Sequence, residues 1–142
     1  MFKTLFFFIL LVSTFHGNSQ EIIKATSQGW AGGVCCVSGT NYSVTFLLKD
    51  TPKTIEIEGV YLQNTDKLYS TLSHPLVQKD GTYYTVNFPT RFDENDRYLE
   101  KEIKPIVTKN FDGKALILLK IDKKTVEIVV TEFESMGFLA YP

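Results

Sequence analysis

The fold class predicted from the residues is all-β: an antiparallel β-sandwich, immunoglobulin-like in general architecture, of about seven strands. Three observations carry it. Apolar and polar residues alternate with a period of two in short runs, as where Tyr42, Val44, Phe46 and Leu48 enclose Ser43 and Thr45. Turn-forming residues separate these runs at intervals of roughly 8–12 residues. No strong amphipathic helix interrupts them after the first residues, and an aromatic content of 13% with seven tyrosines suits sheet surfaces.

The chain starts with Met1-Phe2-Lys3, an apolar run from Leu5 to Phe15 and the small polar segment His16-Gly17-Asn18-Ser19. This is the pattern of a secretory signal peptide. The apolar run is about half of the ~20 residues that a spanning helix needs, so cleavage rather than anchoring is expected. Gly17 and Ser19 provide the small residues at −3 and −1, which places the cut between Ser19 and Gln20. A lipid anchor would require a cysteine at that point, and Cys35 lies too far downstream. Residues 1–19 are therefore read as leader and 20–142 as one exported domain, periplasmic or extracellular. A domain of this size forms a core without a disulfide framework. The formal net charge is −1 and there is no basic cluster, which argues against nucleic acid as a partner. No membrane span is expected once the leader is removed.

The strands follow in order. Glu21 to Ser27 is a short, weakly patterned candidate. Ser38-Gly39-Thr40-Asn41 reads as a turn, and Asn41 to Leu48 as a half-buried strand. After Asp50-Thr51-Pro52, Ile55 and Ile57 oppose Glu56 and Glu58 along the next strand. Gly59 breaks the parity there, and a β-bulge at this glycine is one way to turn Val60 and Leu62 back toward the core. Asn64 to Lys67 is a turn, and Leu68 to Leu72 a short strand or a loop. Leu76-Val77-Gln78 and Tyr83 to Phe88 flank Asp80-Gly81, a strong hairpin signal. Pro89, lacking an amide donor, is expected to stop that strand. Thr90 to Lys104 is highly charged and permits a helical turn or two before Pro105. Lys114 to Ile121 and Thr125 to Phe133 then form a hairpin about Asp122-Lys123-Lys124. The first arm is apolar on both faces, as an interior strand should be.

The stretch Gly29 to Asn41, GWAGGVCCVSGTN, departs furthest from ordinary sheet composition, with the only tryptophan and both cysteines. Together with the Phe-rich leader ending in NSQ and the closing FDGKALILLKIDKKTVEIVVTEF with its terminal YP, it resembles the small secreted proteins of unassigned function found in Bacteroidota. That resemblance implies a sandwich-like fold and export through the inner membrane, and brings no site residues.

Cys35 and Cys36 allow only a bridge between sequence neighbours. Their Cα atoms, about 3.8 Å apart across a trans peptide, are closer than in an ordinary disulfide. Three readings follow: a strained vicinal disulfide, two inert thiols with at least one in the core, or a redox or metal site. After leader removal, His74 and Met136 are the only other soft donors, and no spacing motif joins them to the pair, so neither metal nor cofactor is expected.

No nucleophile elbow accompanies His74, and the glycine run matches no phosphate-binding pattern. Glu56 and Glu58, about 7 Å apart by strand rise, are read as a solvated face rather than a catalytic pair. Asp93 to Asp96 is read as a solvated loop rather than a calcium site. No enzymatic activity is expected. Tyr83, Thr85 and Asn87 share one strand face and, with Trp30, are candidates for a platform that meets a sugar or a protein. The alternative is that Trp30 anchors the core between the sheets. The function expected is an exported, non-enzymatic sandwich binding a protein or glycan partner at the cell envelope. The alternative is a periplasmic thiol- or metal-handling protein using Cys35 and Cys36.

Overall fold

The computed structural model describes residues 20–32, 37–93 and 109–140. They form nine strands: β1 (Gln20–Ala31), β2 (Val37–Leu48), β3 (Ile55–Leu62), β4 (Thr71–Leu72), β5 (Leu76–Gln78), β6 (Gly81–Asp93), β7 (Ala115–Ile121), β8 (Lys124–Val130) and β9 (Glu134–Ala140). The larger sheet has the order β4-β6-β2-β1-β9, with β5 also paired to β6, and the smaller is β3-β7-β8. Every pairing is antiparallel except β1 with β9. With β5 and β9 set aside, four strands oppose three in the order of an immunoglobulin constant-type sandwich, in which strands 1, 2, 5 and 4 face strands 3, 6 and 7.

The core lies between the sheets. Val44, Phe46 and Leu48 of β2 and Tyr84, Val86 and Phe88 of β6 meet Val60 of β3, Ile117, Leu119 and Ile121 of β7 and Ile128 and Val130 of β8. Each large apolar side chain enclosed there contributes about 1.5–3 kcal/mol. Phe46 stacks on Tyr84 with ring centroids 5.7 Å apart, and Tyr42 stacks on Phe88 at 5.1 Å. Phe133, in the connection from β8 to β9, closes the second cluster edge-on, 4.9 Å from Tyr42. It fastens the crossover that carries the chain from the small sheet to the large one.

The bulge at Gly59 is present. The register of β3 on β7 shifts between Ile57 and Gly59, and Val60 then faces Ile117 with no exposure. The Asp80-Gly81 hairpin also forms, with Gln78 opposite Gly81. Gly81 has φ +143°, and a Cβ there would run into the carbonyl of Leu48. β7, buried on both faces, is the central strand of its sheet, whereas β8 is an edge and ends at Val130, short of Phe133.

Several expectations are corrected. Ser38 to Asn41 is no turn but part of β2, paired with β1 on one side and β6 on the other. Gly39 is needed there for space, since a Cβ would meet the Trp30 indole at 2.8 Å and the Thr90 carbonyl closer still. Pro89 does not end β6, which continues to Asp93. Thr85 exchanges hydrogen bonds with Ser73 on the β4 side, and Pro89, four residues on, points its nitrogen the same way, where β4 has already stopped. No ladder hydrogen bond is lost. β1 runs four residues past Ser27, and β9, with all its residues exposed, carried no predicted strand. Of Thr90 to Lys104, the segment expected to permit helical turns, Thr90 to Asp93 is strand and residues 94–104 lie outside the described residues, as do residues 1–19, expected to form a leader, and both cysteines.

Candidate functional site

The register of the large sheet sorts its side chains onto two faces. Ala25 and Tyr42 turn inward and pack on the core, so their neighbours in sequence turn outward. On this outer face, rows of residues cross the strands in order. Leu47 stands opposite Tyr83, and Thr45 opposite Thr85. Next come Thr26, Ser43, Asn87 and Thr71, one from each of β1, β2, β6 and β4. Gln28, Asn41 and Pro89 follow, and Trp30, Gly39 and Arg91 form the last row.

Trp30, Tyr83, Thr85 and Asn87 therefore share one face, but they do not come together. Arg91, in the Trp30 row, is eight residues along β6 from Tyr83, which is roughly 26 Å at strand rise. Trp30 is half-buried, lies against Gly39, and has Leu139 of β9 beside it in register. It is not the core anchor between the sheets that one reading expected. Tyr83 donates its hydroxyl proton to the Asp80 carboxylate, and this bond holds the phenol above the ordinary tyrosine range. The Thr85 hydroxyl is shared with Thr45 at 2.9 Å. Both side chains are thus committed within the protein.

Between these two ends the face is hollowed into a groove of about 550 Å³. Thr26, Gln28, Asn41, Ser43 and Asn87 contribute to its lining; Tyr69 borders it on the β4 side and Met136 on the β9 side. Among the described residues, none of the lining side chains is charged. Tyr69 is 75% exposed and Met136 50% exposed. Among the described residues, no hydrogen bond uses the side-chain amides of Gln28, Asn41 and Asn87. The volume is that of a typical ligand cleft. Of the four residues predicted for binding, only Asn87 lines it.

The small sheet offers less. Its outward-facing Leu116 and Leu118 are buried, Tyr61 lies across Gly59, and the Lys109 ammonium stands 5.9 Å above the Tyr61 ring. Glu58 accepts a hydrogen bond from the Thr125 hydroxyl at 3.2 Å, while Glu56 pairs in register with Lys120. A smaller cleft of about 460 Å³ beside Asp122 and Lys123 is occupied with structural duty, because the Asp122 carboxylate holds the amides of Lys53 and Thr54. His74 is exposed. Among the described residues no helix is long and apolar enough to cross a membrane.

The groove residues escaped the sequence reading because each is an ordinary polar strand residue. Only the register of four strands brings them together. The available signal was the run of uncharged polar residues at alternate positions, Thr26 and Gln28 in one strand and Asn41 and Ser43 in the next.

The chain was compared with protein-family models, with curated proteins and with solved structures, and none of the three comparisons gave a match.

Proposed function

We propose that this chain is an exported, non-enzymatic binding domain that presents the outer face of its larger sheet to a partner at the cell envelope. The observation that carries the reading is the groove across β1, β2, β6 and β4, where among the described residues no lining side chain is charged and the side-chain amides have no partner. Unspent amides on a strand scaffold favour recognition: the backbone hydrogen-bond ladder fixes where each donor and acceptor stands before a ligand arrives. The leader pattern at residues 1–19 supports delivery to the envelope, and β9 beside β1 extends the face that meets the partner.

The test is co-sedimentation of the purified protein with isolated envelope fractions, beside an unrelated sandwich domain. Retention that falls when Asn41 and Asn87 are both replaced by alanine is the expected result. Retention no greater than that of the unrelated domain, or undiminished in the double variant, would sink the reading.

A further inference from the structure

We infer that the groove takes an uncharged oligosaccharide lying across the strands. This rests on the outer face being the binding face and adds the chemical class of its ligand. From Met136 on β9 to Tyr69 beside β4 the groove crosses four interstrand gaps, roughly 19 Å at ordinary strand spacing. That length suits a chain of sugar rings rather than a single ring.

The lining matches such a chain in three ways. Amides and hydroxyls both donate and accept, as sugar hydroxyls do, and Gln28, Asn41, Ser43, Asn87 and Thr71 place them in two adjacent rows along the floor. Tyr69, three-quarters exposed at one wall, offers an apolar ring face with a polar tip, the combination that a sugar's C–H face and hydroxyl edge require. The absence of charge among the described lining residues selects against acidic sugars and phosphorylated polymers. A desolvated anion would find no cation to offset its lost hydration. A protein partner fits less well. Protein interfaces centre on apolar and aromatic anchors seated in pockets. Here Tyr42 and Phe88, which also border the groove, are packed into the core, and the exposed aromatic, Tyr69, stands at the wall.

The experiment is calorimetric titration of the purified protein with linear glucan, mannan and xylan oligosaccharides, with polygalacturonate and heparin fragments as charged comparators. The variants are Tyr69→Ala, which removes an exposed ring and spares the core, Asn41→Ala with Asn87→Ala, and Thr125→Ala on the other sheet. The expected result is binding of at least one neutral series, weakened about tenfold or more by Tyr69→Ala and by the asparagine pair, and unchanged by Thr125→Ala. Preference for the charged polymers, or neutral-sugar binding that ignores both groove variants, would overturn the inference. Envelope retention that needs the groove but survives periodate oxidation and is destroyed by protease would overturn the sugar class alone, leaving the binding face standing. Absence of any envelope retention would overturn both.

Discussion

Asp122 and Thr54 hold each other by two hydrogen bonds: the Asp122 amide donates to the Thr54 carbonyl at 3.0 Å, and the Thr54 amide donates to the Asp122 carboxylate at 3.0 Å. The same carboxylate oxygen accepts the Lys53 amide at 2.8 Å. Asp122 also occupies the left-handed region at φ 46°, with Lys123 following at φ 69°, so the β7–β8 turn has positive φ at both central residues. One aspartate thus sets the hairpin turn and tethers the entry to β3. Replacing it by alanine removes two side-chain hydrogen bonds and leaves a Cβ in a disfavoured conformation without compensation. A loss of about 2 kcal/mol in urea unfolding is expected, with an unchanged dependence on denaturant. Asp122→Asn retains the acceptor and the tolerance for positive φ, and a loss under about 1 kcal/mol is expected.

Gly39 leaves room for Trp30 on the outer face. A Cβ would lie 2.8 Å from the indole and within overlap of the Thr90 carbonyl, which is backbone and cannot swing aside. Gly39→Ala is expected to cost about 1–3 kcal/mol and to displace the indole. Because Trp30 is the sole tryptophan, its fluorescence reports the change: a red shift in the native state of the variant is expected. An unchanged spectrum with unchanged stability would show that the two residues are not in contact.

Tyr84 is buried against Phe46, and burial first, then the charge of Asp122, raise its phenol above the ordinary value of 10.0. The folded chain keeps this proton to higher pH than the unfolded chain does. Its contribution is therefore whole below about pH 10 and is lost as pH rises through the folded value. Unfolding midpoints should fall on the alkaline side of pH 10 in the parent and fall less steeply in Tyr84→Phe. Equal slopes in the two proteins would remove Tyr84 from the alkaline transition.

How much of this was legible in the sequence depended on whether a strand faces apolar packing. β2, β6 and β7 each place a full set of large apolar residues on the core, and their alternation or continuous apolarity showed it. The bulge at Gly59 was legible because Val60 and Leu62 fell out of parity with Ile55 and Ile57. The extent of β1 was hidden because its inward residues past Ile23 are small, Ala25, Ser27, Gly29 and Ala31, and its outward ones polar apart from Trp30. β9 was hidden because it packs on nothing that would demand a pattern: its residues are all exposed, and it joins β1 in parallel at the sheet edge. The groove belonged to neither strand alone, and chain-local reading had no access to the register that assembles it. Chain-local reading placed Trp30 and Tyr83 in one platform, yet eight residues of strand separate their rows.

Whether the outer face of the larger sheet receives the ligand is tested most directly by mapping amide and side-chain resonances during titration with envelope polysaccharide fragments. The expected result is a set of shifts confined to Thr26, Gln28, Asn41, Ser43, Thr71 and Asn87, with the Tyr69 ring moving among them. Shifts gathered instead on β3, β7 and β8, or along the far edge of β9, would contradict it.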